Sequence, residues 1–266
     1  LDYEIKKKAE GFTVKVNPNK NLNPGKYTVR ASWKIGAREY ALEKDFTWGV
    51  MTLNAAKSVY HPGDNAYLQM GVLDEKGDTI CDADMTIAVT PPAGSGEKEK
   101  TFSTGDQAIQ KSDECGPQSV TSKPDYWLRY QLPQADGTYQ ITLTATTKNG
   151  TQQLKDSLVV KKDVPFEVER ETATRIYPLA KYAVKIKVRA NQDFEGNIVE
   201  SVPLNFEISD LKDGGEAKDN DLKRHIVWPA NLKKGEEREL TYTYDAADIS
   251  PYIFELGPLQ FAQKQN

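Results

Sequence analysis

Apolar and polar residues alternate with a period of two along most of the chain, as in Tyr182–Ala190 (YAVKIKVRA) and Gln140–Thr147 (QITLTATT). That period places successive side chains on opposite faces of a strand, one facing a core and one facing water. No segment carries a convincing helical period. The pattern predicts an all-β protein of antiparallel β-sandwiches.

Turn residues divide the strands into three units. In residues 1–49 the pattern predicts strands over Leu1–Lys8, Gly11–Asn17, Gly25–Trp33 and Glu39–Trp48. Four strands make half a sandwich, so this unit reads as the C-terminal part of a domain. The second unit, 50–162, opens with Lys57–Thr90: a strand, the His61-Pro62-Gly63-Asp64 turn, an alternating strand, the Asp74-Glu75-Lys76-Gly77 turn and another alternating strand. Pro91–Asp113 is polar and glycine-rich, and is expected to be a long loop that buries almost nothing. Asn149-Gly150 between alternating runs predicts a hairpin. The third unit, 163–266, is expected to hold strands over Phe166–Glu171, Tyr182–Ala190, Gly196–Val202, Asn205–Ser209, Arg224–Trp228 and Glu237–Tyr244, with Leu211–Asp221 a charged turn. Its tail ends in a short Leu259–Phe261 stretch, expected to be cut short.

An internal repeat supports this division. Gly25-Lys26-Tyr27-Thr28-Val29 and the strand ending Lys44-Asp45-Phe46 match Gly137-Thr138-Tyr139-Gln140-Ile141 and Lys155-Asp156-Ser157-Leu158. Two hairpins of nearly equal length are the last strands of consecutive domains of one type.

Composition narrows the function classes. A length of 266 residues suits two or three sandwiches of roughly 100 residues. The net charge of −4, with lysines dispersed on strand faces, gives no footprint for nucleic acid. No apolar run approaches the roughly 20 residues of a membrane-spanning helix, so no span is expected in this segment.

The two cysteines, Cys81 and Cys115, both lie in the second unit and predict a disulfide closing the polar loop. A disulfide implies an oxidising, extracellular setting. The competing reading is a thioester, because Cys115-Gly116-Pro117-Gln118 has the spacing of the Cys-Gly-Glu-Gln thioester of macroglobulins and complement proteins. A nucleophilic triad would need His61 or His225, the only histidines, and neither has a nucleophile nearby in sequence. Asp74, Glu75, Asp78, Asp82 and Asp84, and Asp213, Glu216, Asp219 and Asp221, are calcium-type oxygen clusters without the spacing of an EF-hand. Lys57 and Asp156 are the pair that an isopeptide crosslink would join. Tyr126, Trp127, Trp228 and Tyr252 are candidates for stacking on a glycan. The sequence nominates no catalytic residue, no cofactor site and no metal site.

Lys57-Ser58-Val59-Tyr60-His61-Pro62-Gly63-Asp64, followed by Asp74-Glu75-Lys76-Gly77, resembles the "K-x-x-Y-x-P-G" entry and following turn of macroglobulin-like β-sandwich domains. Asp45–Val50, Cys81–Asp84, Leu143–Thr151, Val164–Arg170, Thr174–Pro178 and Asn191–Gly196 are similar to segments of very large surface proteins encoded by candidate-phyla bacteria. This resemblance implies tandem Ig-like or macroglobulin-like modules, export to the cell surface, and neighbouring domains of a larger protein as partners. The expected function is a non-enzymatic stalk or adhesive scaffold. The alternatives are an adhesin module binding a glycan or host protein, and part of a macroglobulin-type protease trap.

Overall fold

The computed structural model describes residues 2–8, 11–17, 25–36, 38–74, 76–116, 123–148, 150–176, 178–220, 223–249 and 252–264. Among these, the regular elements are all strands, and no helix long and apolar enough to cross a membrane is present. The chain begins with two separate hairpins: β1 (Asp2–Lys8) on β2 (Gly11–Asn17), and β3 (Gly25–Ile35) on β4 (Arg38–Trp48). Among the described residues, neither two-stranded sheet has a second layer of its own to bury against. Accordingly Tyr3, Ile5, Trp33 and Leu42 stay exposed.

The second unit comprises β5 (Val50–Ala55), β6 (Val59–Tyr60), β7 (Asn65–Leu73), β8 (Asp84–Thr90), β9 (Lys100–Ser103), β10 (Gln110–Lys111), β11 (Tyr126–Gln131), β12 (Gly137–Thr147) and β13 (Gly150–Val160). They form a sheet of order β10-β11-β7-β5 facing one of order β6-β13-β12-β8-β9. Alternate residues of each sheet fill the space between them. Leu68, Met70, Val72 and Leu128 come from one side, and Ile87, Val89, Ile141 and Leu143 from the other.

The segment Pro91–Asp113 departs from the expected loop. It contributes the edge strands β9 and β10, buries Ile109 and packs Phe102 on the core. Its few apolar residues are too widely spaced to show a period.

The repeat is carried into the register. In both hairpins eleven residues face eleven, with Gly25 opposite Trp48, Tyr27 opposite Phe46 and Ile35 opposite Arg38 in one. Gly137 opposite Val160, Tyr139 opposite Leu158 and Thr147 opposite Gly150 are the equivalents in the other. Asn149 of the predicted turn lies outside the described residues.

The third unit has β14 (Phe166–Thr172), β15 (Lys181–Ala190), β16 (Phe194–Val202), β17 (Glu207–Ser209), β18 (Glu216–Asp219), β19 (Arg224–Leu232), β20 (Glu237–Asp245) and β21 (Leu259–Gln263). Its sheets run β14-β15-β20-β17 and β18-β19-β16-β21 around a second core of Val184, Ile186, Val188, Ile198, Ile226, Trp228, Leu240 and Tyr242. Two elements differ from expectation. The charged turn Leu211–Asp221 contains β18, and the tail stretch completes a sheet as β21 on β16. β19 tolerates Pro229 because β18 pairs only Arg224–Val227, leaving the proline nitrogen outside any ladder on that side.

Candidate functional site at the junction of the two sandwiches

Cys81 and Cys115 are joined as a disulfide. Tyr126, at the start of β11, holds the same loop. Its hydroxyl donates to the Ile80 carbonyl at 3.0 Å and accepts from the Ala83 N–H at 3.1 Å. Burial pushes this phenol up to about 12. Tyr126 is therefore a core tether, not a glycan platform. Trp228 is likewise fully buried, with its indole N–H on the Lys212 carbonyl at 3.0 Å. Trp127 is partly buried and Tyr252 is exposed. A cysteine in a disulfide has no thiol to acylate, and Gln118 lies outside the described residues.

The two histidines acquire partners that sequence distance hides. Ser201 Oγ lies 3.2 Å from His225 Nδ1, and Asn220 Nδ2 lies 2.6 Å from Nε2. Asn220 Oδ1 is taken by the Lys223 N–H at 2.8 Å, so its amide nitrogen faces the ring. Asn220 therefore contacts the ring at Nε2, while Nδ1 faces Ser201. The only advance signal would have been the register that sets Ser201 opposite His225.

The acidic turns have protein partners of their own. Asp74 Oδ1 accepts from the N–H groups of Lys76 and Asp78 at 2.9 and 3.0 Å, and Asp219 grips Arg224 through both carboxylate oxygens. Among the described residues no group of three or more His, Cys, Asp or Glu could hold a metal; Glu75 and Asp221 lie outside them. Lys57 Nζ meets Asp64 at 3.3 Å instead of Asp156, whose Oδ1 accepts from the Ser157 N–H.

The most developed arrangement lies where the second and third units meet. The chain just after β5 adds to the outer edge of β14: the Arg170 N–H donates to the Ala56 carbonyl at 3.3 Å, and Lys57 bridges Glu169. The Pro-Gly turn after β6 brings His61 Nε2 to 3.4 Å from Glu167 Oε1. The Asn191 amide, and secondarily His61, hold the Glu167 carboxyl below its ordinary value. Asp125, only 5% exposed, faces Arg175 of the third unit at 3.7 Å. Burial pushes its carboxyl up, and Arg175 opposes that shift.

Beyond these contacts the walls part to leave a cleft of about 1100 Å³. β5, β14 and the segments 173–176, 179–180, 245–249 and 252–258 line it. Behind the β14 wall, Glu200 is fully buried and meets Arg170. Burial pushes Glu200 up, while Arg170 and the Tyr242 hydroxyl favour its charged form.

No family model and no curated protein sequence matches the chain. Among solved structures it is similar to Escherichia coli alpha-2-macroglobulin activated by porcine elastase, at 8% identity and TM-score 0.30, over 89% of this chain and 24% of that one. It is also similar to chitinase ChiA74 from Bacillus thuringiensis, at 8% identity and TM-score 0.24, over 77% and 28%. The chain thus spans about a quarter of the length of each. Its β-sandwich architecture stands on its own sheets and cores.

Proposed function

We propose that this chain is a structural segment of a bacterial cell-surface protein, a stalk or scaffold made of β-sandwich modules in series that sets the spacing of neighbouring domains. The observation that carries this reading is the junction. A strand-edge bond, an antiparallel bridge, a histidine–carboxylate contact and an ion pair cross between modules that each have a core of their own. Such contacts favour a fixed relative orientation, which a spacer needs. The disulfide in the second module suits an oxidising, extracellular location.

Small-angle scattering of the chain from Val50 onward tests the proposal. The expected result is one elongated particle whose dimensions do not change with ionic strength. A compact globule, or a distribution of interdomain distances, would count against it.

A further inference from the structure

We infer that the free edge of β3 is a docking site for one extended strand of the β8 type, donated by another β-sandwich module. The internal repeat identifies this occupant. β3 and β4 correspond to β12 and β13 at a constant offset, with Gly25 opposite Trp48 and Ile35 opposite Arg38 in one hairpin, and Gly137 opposite Val160 and Thr147 opposite Gly150 in the other. β12 is flanked on both sides, by β13 and by β8, whereas β3 pairs only with β4 among the described residues. An unpaired edge presents a row of donors and acceptors that another polypeptide backbone matches.

Exposure follows this difference. Tyr139, Ile141, Leu143 and Ala145 of β12 are at most 1% exposed, in a core shared with Met85, Ile87 and Val89 of β8. On the corresponding face of the first hairpin Trp33 is 45% exposed, Tyr40 39% and Leu42 60%, with the Trp33 and Tyr40 rings stacked at 5.8 Å. Apolar side chains gathered on one face beside an open edge mark a contact surface more strongly than scattered ones do.

The register fixes what the donated strand must carry. β8 runs antiparallel to β12, with Asp84, Met85, Ile87 and Val89 opposite Thr146, Ala145, Leu143 and Ile141. At the matching places β3 has Lys34, Trp33, Ala31 and Val29. Large and small are exchanged, since Trp33 stands for Ala145 and Ala31 for Leu143. Conserving volume then requires a small residue opposite Trp33, a large one opposite Ala31 and an apolar one opposite Val29. An acidic residue in the place of Asp84 faces Lys34 as a cross-strand ion pair. A second copy of this chain does not supply such a strand, because its β8 is already held between β12 and β9. This inference rests on the repeat and not on the scaffold reading, which scattering tests separately.

The experiment uses the intact 266-residue chain and a synthetic heptapeptide, Asp84–Thr90 with Met85→Ala and Ile87→Phe. The peptide is added free, or joined ahead of Leu1 by a flexible Gly-Ser linker of about 20 residues that raises its effective concentration to roughly millimolar. We expect hydrogen exchange at alternate β3 amides between Thr28 and Lys34 to slow tenfold or more, with β14 unmoved. Shifting the peptide pattern by one residue turns its apolar set to the other face and should abolish the effect. Restoring Met85 and Ile87 should weaken the free peptide about tenfold. The free peptide gives the same reading if the fusion disturbs folding. No slowing at β3 with either form, or equal slowing by the shifted peptide, would overturn the site. Equal affinity of the unaltered β8 sequence would overturn the exchange of large and small positions. Slowing at β3 that rises with the concentration of the chain alone would assign the edge to a second copy and overturn the donated strand.

Discussion

Arg170 and Glu200 form a two-pronged ion pair across the third module, Nε to Oε1 at 3.1 Å and Nη2 to Oε2 at 2.8 Å, with the carboxylate fully buried. Breaking one side of such a pair strands a desolvated charge. Glu200→Ala should therefore cost about 3–5 kcal/mol. Replacing both partners by apolar residues, Arg170→Met with Glu200→Leu, should cost less than either single change. Urea unfolding of the single and double variants measures the difference.

Reduction of the Cys81–Cys115 bond releases a 34-residue loop. In the chain-entropy model the bond contributes about 3–4 kcal/mol. Cys81→Ser with Cys115→Ser should lower the midpoint of the second module and leave the third unmoved. Hydrogen exchange resolved by module separates the two transitions.

Acid should loosen the junction. The Glu167 carboxyl is held below its ordinary value of 4.5, so its contribution is complete above that pH and is lost as pH falls through the lowered value. Glu200 and Asp125 are shifted upward, so their contribution has the opposite sign, being present at low pH and lost as pH rises through their folded values. On acidification below pH 4.5, through the lowered value, the exchange protection of the Arg170 amide should drop. Glu167→Gln should show reduced protection already at neutral pH and a weaker acid dependence.

Gly196 faces β21 so closely that an added Cβ would collide with the Ala262 carbonyl. Gly196→Ala should displace β21 from β16 and cost about 1–3 kcal/mol. Loss of exchange protection confined to Leu259–Gln263 and its β16 partners is the expected readout.

The period-two runs made the long strands legible, since Tyr182–Ala190 and Gln140–Thr147 each fill one side of a core. β9, β10 and β18 were not legible because their residues are mostly exposed and show no alternation. The disulfide was readable from a count of two cysteines. The Ser201–His225 contact was not, because a register twenty-four residues apart decides it. Nor was the junction: Ala56 and Arg170 belong to different modules, and only the packing of finished sheets brings their backbones together.

β6 runs parallel to β13, with Val59 beside Val159 and Tyr60 beside Val160, and the Lys161 N–H bonded to the Tyr60 carbonyl. The chain enters β6 and leaves β13 in the same direction. Tension applied between the start of β6 and the end of β13 would drag these strands past each other lengthwise, straining their hydrogen bonds together instead of parting them one by one. The second module is thereby arranged to resist stretching at the point where its closing strand hands the chain to its neighbour.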